Sequence, residues 1–271
     1  MVARLRVFLG VSAFVLALAA VSPADEPKAA AGQREQPLPA HTIRRTSDKI
    51  AIDGDAAEET WRKAERVSAF VTWDGKETPD VTDVKMAWDD DALYILFVCR
   101  DTDIQASITN HDGALYQEDV VEAFIDPEAD EKTYMELIVN PLNATLDNYC
   151  LCNPRHNMNA GILGWTLKDW QTAVKVAGTV RPPGDAAKND TDEGWSVEMR
   201  IPFSSVALTD GPSGKAPPDG AQWRMALTRY AHPGGKFLHT AWSAPYSPGW
   251  PHMTERFGKI TFSMKAVDDT R

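Results

Sequence analysis

Two glutamates stand alone among apolar neighbours in two stretches that alternate with the period of a β-strand. Glu122 lies in residues 119–126, and Glu136 lies in residues 133–140. Because side chains alternate across a strand, each glutamate shares its face mainly with apolar residues. A lone carboxylate on such a face costs free energy unless a basic residue, a metal ion or the hydroxyl groups of a ligand pairs with it. The two residues are therefore candidates for binding or catalytic chemistry.

Two other roles compete for these carboxylates. A salt bridge to a nearby arginine would make Glu122 a structural residue. Paired carboxylates about 5 Å apart or farther also catalyse glycoside hydrolysis, in which Glu122 and Glu136 would act together. A strongly raised pKa for one of them in a deep pocket would favour that enzyme. The candidate arginines are Arg100, Arg224 and Arg229.

The elements that position these glutamates are predicted to be almost entirely strands. Residues 55–66 alone have helical character, with Asp55 as a candidate N-cap. About ten strands with almost no amphipathic helix favour an all-β sandwich. Besides 119–126 and 133–140, apolar periodicity predicts strands at 50–54, 84–88, 92–100, 144–151, 173–180, 195–201, 223–230, 237–242 and 257–262.

The N-terminus has the pattern of a secretory signal peptide. Two arginines precede an apolar run, and small residues follow it. We expect residues 1–24 to be the signal peptide, residues 25–42 to be a linker, and residues 43–265 to form one folded domain. The mature protein would then be secreted or periplasmic, and an uncleaved N-terminal anchor is the alternative.

The charge, the motifs and the aromatic content of the sequence limit the classes of molecule that the protein is expected to bind. A net charge of -11 and a pI near 5.0 argue against nucleic acid or an anionic membrane surface. Serine-triad, P-loop and dinucleotide-binding signatures are absent from the sequence. Nine tryptophans and six tyrosines supply flat surfaces that suit both a hydrophobic core and sugar binding.

The cysteines and the acidic turns raise the question of cross-links and metals. An oxidising compartment would allow Cys99 to bridge either Cys150 or Cys152. The Cys-x-Cys spacing lacks a second pair, so the sequence does not predict a zinc site. Acidic turns at residues 89–91 and 126–131 can hold calcium or be simply solvated, and neither matches an EF-hand loop.

An ordered set of segments between about Ile50 and Phe262 carries a family likeness. The segments are Ile52-Asp53-Gly54 with Trp61, Trp88-Asp89-Asp90, residues 118–126, residues 134–147, residues 194–202, Ala241-Trp242-Ser243 and residues 255–258. Together they resemble family 9 carbohydrate-binding modules. The resemblance implies an immunoglobulin-like or DOMON-like antiparallel β-sandwich that binds sugar chain ends, often with structural calcium and without an organic cofactor.

The resemblance also implies a binding site. Members of the family clamp a sugar between two aromatic residues, and Tyr116 and Trp250 hold the matching positions. Glu122 matches a position that bonds to sugar hydroxyls, and Glu136 matches a further polar contact. Tyr116 stands where the family often has tryptophan, and Ser247 stands where an amide is expected. We therefore expect a protein that binds carbohydrate without cleaving it, within a polysaccharide-degrading system.

DOMON-like folds also include haem-binding electron-transfer domains, which supply a third hypothesis. Haem requires axial Met/His or His/His ligands. His156 lies near Met158, and His252 is followed by Met253, so the sequence offers two such pairs.

Overall fold

The computed structural model describes residues 35–79, 81–151, 161–162, 164–185, 192–206 and 214–268. The predicted signal peptide lies outside these ranges. No helix in the described ranges has the length and apolar character needed to cross a membrane. The elements are β1 (Ala40–Arg45), α1 (Glu59–Lys63), β2 (Val71–Thr72), β3 (Thr82–Trp88), β4 (Ala92–Arg100), β5 (Val120–Asp126), β6 (Tyr134–Val139), β7 (Thr145–Cys150), β8 (Gln171–Ala177), β9 (Gly194–Pro202), β10 (Gln222–Ala231), β11 (Leu238–Ala241) and β12 (Gly258–Ala266).

The strands form one sheet that curls over and packs its two halves together. Its hydrogen-bonded order is β7-β6-β5-β10-β12-β1-β3-β4-β9-β8, and β11 and β2 extend it beside β10. All strand pairs are antiparallel except those of β1, which runs parallel to both β12 and β3. The predicted all-β sandwich is therefore confirmed.

One hydrophobic core fills the space between the two halves. Alternate side chains of β5 and β6 meet alternate side chains of β4 and β9 in a single buried cluster. Val121 and Leu137 come from one half, and Ile95 and Val197 come from the other; all four are fully buried. The alternation that fills the core turns the intervening side chains of β5 and β6 to the opposite face, where the two glutamates lie.

The strand predictions agree with the structure to within a few residues, whereas the N-terminal predictions contain errors. Residues 50–54 form no strand, and α1 spans only Glu59–Lys63. Asp55 is not the N-cap, because the helix begins after Glu58. Strand β1 begins at Ala40, inside the stretch predicted as linker 25–42, and neither β1 nor β2 was predicted.

The cysteine prediction is settled in part. Cys99 and Cys150 are both free and buried, so a bridge between them is wrong. Cys99 packs in the main core as a small apolar residue. Cys152 lies outside the described residues.

Candidate ligand-binding site

A pocket of about 710 Å³ covers the outer face of β5 and β6. Strands β5, β6, β7 and β10 contribute its floor. Residues from three connecting segments contribute its walls: residues 112–114 with Tyr116, Ile162 with Gly164, and residues 249–252. The structure brings all four sequence-predicted residues to this one cavity. They are Tyr116, Glu122, Glu136 and Trp250.

Strand register places the two glutamates side by side. Glu122 pairs with Ile138 across β5 and β6, and Phe124 pairs with Glu136, so the two carboxylates are diagonal neighbours on one face. Thr228 lies opposite Glu122 on β10, and its hydroxyl donates to Glu122 Oε2 at 2.6 Å. The face is therefore acidic at its centre, although both glutamates are buried.

The proposed salt bridge to Glu122 is wrong. Within the described part of the chain, no ion pair reaches this carboxylate. Arg224 and Arg229 pair with other acids, and the Arg100 side chain is exposed at the end of β4. Glu122 is thus a buried acid whose capacity to accept hydrogen bonds is directed largely toward the cavity.

Glu136 has weak contacts with its neighbours. Asn148 Nδ2 donates to Glu136 Oε2 at the long distance of 3.4 Å, and His252 Nε2 lies 3.5 Å from Glu136 Oε1. The Asn148 Oδ1 atom is buried without a hydrogen-bond partner. Unsatisfied polar atoms of this kind beside a cavity are available to a ligand.

Burial changes the acidity of both carboxyls. Burial, followed by the nearby Glu136 charge, raises the pKa of Glu122 to about 8. Burial raises the pKa of Glu136 to about 7, while the hydrogen bond from Asn148 acts in the opposite direction. Near neutral pH the pair therefore retains protons, and the floor of the pocket can both donate and accept hydrogen bonds.

The two predicted aromatic residues are the exposed ones. Tyr116 is 51% exposed and Trp250 is 37% exposed, whereas Tyr230, a tyrosine of the pocket floor, is 4% exposed. The Trp250 ring packs against His252, with centroids 4.6 Å apart, and leaves part of its surface open. Gly249 supports this position because its φ of +62° belongs to the left-handed region that favours glycine.

Several pocket residues were not predicted from the sequence. Tyr230, Asn148 and His252 all line the cavity. Alternation would have identified Tyr230, which lies two residues beyond Thr228 on the same face of β10. The sequence marked His252 only as a possible haem ligand beside Met253, and no local pattern places it in this pocket, because it reaches the site from a loop. Its Nδ1 bonds to the Tyr134 hydroxyl at 2.9 Å, and burial lowers its pKa to about 4.

Two acidic residues at the start of the segment 118–126 accept hydrogen bonds from the backbone of residues 105–108. Glu118 accepts hydrogen bonds from the N–H groups of Ser107 and Ile108, at 2.8 and 3.1 Å. Asp119 accepts one from the N–H of Gln105 at 2.7 Å. These bonds fix the segment that carries Tyr116, so the acids position the pocket from outside it.

The two acidic turns differ in their fitness for calcium. Asp89 already accepts the N–H groups of Asp91 and Ala92 through Oδ1, and the Tyr94 hydroxyl through Oδ2. In the second turn, Asp126 Oδ1 and Glu128 Oε2 are buried without hydrogen-bond partners. Burial, followed by the nearby Asp130 charge, raises the pKa of Asp126 to about 6. Oxygen donors of this kind fit a hard cation such as calcium.

The haem hypothesis is not tested by these residues. His156 and Met158 lie outside the described ranges. His252 lies in the pocket wall with its Nδ1 bonded to Tyr134.

Comparison with known proteins places this architecture in a family. The sequence pattern of the family described as "Carbohydrate family 9 binding domain-like" matches residues 52–263. Two curated relatives are similar over 160 residues at 26% identity, or 59% of this chain. They are the exoglucanase XynX of Acetivibrio thermocellus and the endo-1,4-beta-xylanase A of Thermoanaerobacterium saccharolyticum. The matched segment spans only 12% and 11% of their lengths.

Solved structures show the same fold. A family 9 carbohydrate-binding module from Caldicellulosiruptor kristjanssonii in complex with cellotriose is similar with a TM-score of 0.54 at 18% identity, covering 85% of this chain and 98% of that one. A structure of such a module from that organism in complex with glucose gives a TM-score of 0.53 at 17% identity, covering 85% and 100%. The family pattern, which spans most of the described residues, establishes that the chain belongs to the carbohydrate family 9 binding domain-like family.

Proposed function

We propose that this protein is an exported, non-catalytic carbohydrate-binding module that holds a sugar in the pocket over β5 and β6. The observation that carries the proposal is the convergence of two exposed rings and two buried carboxylates on one cavity. Export is proposed from the signal-peptide pattern alone.

The chemistry of a pyranose matches this set of groups. Its faces present C–H bonds, and aromatic rings such as Tyr116 and Trp250 cover such faces. Its rim presents hydroxyls, which donate to carboxylates and accept from protonated carboxyls. Glu122 and Glu136 supply both forms near neutral pH, because their pKa values are about 8 and 7. The cavity of about 710 Å³ lies within the range of small-molecule sites.

The structural neighbours suggest which sugars to test first. Two of them were solved with cellotriose and with glucose. We therefore propose β-linked gluco-oligosaccharides as the first class of ligand.

Calorimetric titration of the mature protein with cello-oligosaccharides tests the proposal. We expect binding, and we expect Trp250→Ala to weaken it at least tenfold, since about 1.4 kcal/mol corresponds to a factor of ten. Trp170→Ala is the matched control, because this indole packs on the main core and lies outside the pocket. A wild type that binds no saccharide, or a Trp250→Ala variant that binds equally well, would contradict the clamp.

Glycoside hydrolysis by Glu122 and Glu136 is the second candidate. The specific observation in its favour is the raised pKa of both carboxyls in a pocket, because a general acid must be protonated near neutral pH. Incubation with cello-oligosaccharides and aryl glycosides distinguishes the two candidates. We expect binding without new reducing ends; turnover that disappears in Glu122→Gln would instead establish the enzyme.

A further inference from the structure

We propose that Glu136, Cys150 and His252 form a binding site for a borderline divalent transition metal such as Zn²⁺. One ligand atom from each residue, a carboxylate oxygen, Sγ and an imidazole nitrogen, lies within 4.8 Å of the others. All three side chains are largely buried beside the pocket. No calcium prediction included these residues.

The pairing of β6 with β7 brings two of the three proposed ligands together. Tyr134 pairs with Cys150 across β6 and β7, and Glu136 pairs with Asn148, so Cys150 and Glu136 lie diagonally on one face. The loop after Trp250 then brings His252 over this face. The three ligands therefore come from two adjacent strands and a loop anchored on them.

The spacing between ligand atoms suits a metal better than a hydrogen bond. His252 Nε2 and Glu136 Oε1 are 3.5 Å apart, which is too long for a strong hydrogen bond. Two ligands of a tetrahedral zinc ion, each about 2.1 Å from the metal, lie about 3.4 Å from each other. The present separation is thus close to the one that zinc requires.

The surroundings hold the imidazole in a ligand orientation. The Tyr134 hydroxyl bonds to His252 Nδ1 at 2.9 Å, which leaves Nε2 to face Glu136. Metal-binding histidines typically fix their second nitrogen in this manner. A fourth coordination position faces the cavity, because Glu136 and His252 both line it. Three protein ligands with one open position are characteristic of accessible zinc sites.

The donor types select the class of metal. A thiolate and an imidazole favour zinc and similar ions over calcium or magnesium, which prefer oxygen ligands. A second cluster, His111, Asp112 and Asp147, is richer in oxygen donors and has no sulfur. It provides the competing location for a bound ion.

Cobalt titration of the reduced, chelator-treated mature protein tests the site. We expect one equivalent of Co²⁺ to produce a thiolate-to-cobalt charge-transfer band, and we expect Cys150→Ser to abolish this band. Cys150→Ser should also weaken Zn²⁺ binding at least tenfold. Cys99→Ser is the matched control, since Cys99 is equally free and buried but lies in the main core; it should keep both properties.

A second measurement does not depend on the variants. Anomalous scattering from zinc-soaked crystals of the wild type should place the ion between Glu136, Cys150 and His252. An ion only at the His111 cluster, no bound ion, or unchanged Zn²⁺ affinity in Cys150→Ser would overturn the proposal. Because only metal is titrated, failure here is distinguishable from failure of carbohydrate binding.

Discussion

Two buried glutamates on different halves of the sandwich have different surroundings. Glu198 on β9 accepts hydrogen bonds from the N–H groups of Asp53 and Gly54 and from the Trp61 indole, at 2.9, 2.8 and 2.7 Å. Glu122 on β5 is also buried, but the hydrogen bond that it receives comes from the Thr228 hydroxyl, and it faces a cavity. The difference shows that burial of an acid does not reveal its role until its donors are known.

The donors explain the two outcomes. A buried carboxylate that accepts several hydrogen bonds stabilises the segments that supply them. Glu198 thereby ties residues 53–61 to β9. A buried carboxylate with fewer donors retains the capacity to bond to a ligand. Three predictions test this contrast, and a fourth extends it to the buried carboxylate oxygen of Asp126 that has no hydrogen-bond partner.

The largest effect is expected at Glu198. Glu198→Ala should lower the free energy of unfolding by about 3 kcal/mol or more, because two buried donors and one partly buried donor lose their acceptor at about 1–3 kcal/mol each. Urea denaturation measures this change. Glu193→Ala, at an exposed position near the start of the same strand, is the control and should change stability by less than about 0.5 kcal/mol. If Glu198→Ala leaves the free energy of unfolding unchanged, Glu198 does not stabilise the fold and the proposed difference between Glu198 and Glu122 is wrong.

The second prediction concerns pH. The pKa of Glu122 is raised in the folded protein from about 4.5 to about 8, so the folded state binds more protons than the unfolded state across this window. Stability from this group is therefore complete below about pH 4.5 and decreases as pH rises toward 8. Glu122→Gln should remove up to about 1.4 kcal/mol of this decrease per pH unit. Urea denaturation of both proteins between pH 5 and 8 should show the variant gaining relative stability as pH rises; parallel curves would contradict it.

The third prediction concerns affinity. Glu122→Gln and Glu136→Gln should each weaken saccharide binding about tenfold at pH 8, because an amide oxygen replaces a charge-assisted acceptor. Calorimetry measures the dissociation constant. Glu193→Gln should leave it unchanged. If Glu122→Gln and Glu136→Gln bind the saccharide with the same dissociation constant as the wild type and Glu193→Gln, the two carboxylates do not contact the sugar.

The smallest effect is expected from calcium. If the turn at residues 126–131 binds Ca²⁺, a concentration ten times its dissociation constant adds about 1.4 kcal/mol and raises Tm by about 3 °C. Thermal unfolding with and without a chelator measures the shift. Asp126→Asn should abolish it, and Asp90→Asn should not, because Asp90 lies in the exposed hairpin turn and pairs with Arg45. A shift that persists in Asp126→Asn would place the ion elsewhere.

Local periodicity explains what the sequence could predict. Strand β4 was predicted with the observed bounds, and β5 and β6 to within one residue, because each alternates or is continuously apolar. The same periodicity placed Glu122 and Glu136 on the face opposite the core. Residues 50–54 were predicted incorrectly because their N–H groups bond partly to the Glu198 carboxylate, about 145 positions away, rather than to a neighbouring strand.

The remaining pocket residues depend on contacts that no local pattern contains. His252 follows a Pro/Gly-rich loop, and only the fold brings it beside Tyr134, which precedes it by 118 positions. Sequence spacing connects Cys150 only with a disulfide or a Cys-x-Cys motif, whereas the fold brings its Sγ within 4.8 Å of a carboxylate oxygen of Glu136 and an imidazole nitrogen of His252. A set of donors that comes from a loop and two strands is brought together only in the folded chain.

The parallel insertion of β1 between β12 and β3 has a consequence for folding. Ile43 of β1 lies beside Phe262 of β12. Strand β1 near the start of the chain therefore cannot pair with β12 until the C-terminal part of the chain is available. Contacts of such long sequence separation slow folding, because the entropy of closing the loop is lost before the contacts form. Before β1 is inserted, β3 and β12 each have an unpaired edge that can form hydrogen bonds with a strand of another chain. We therefore expect a nascent chain that ends before residue 258, and so lacks β12, to fold poorly and to aggregate.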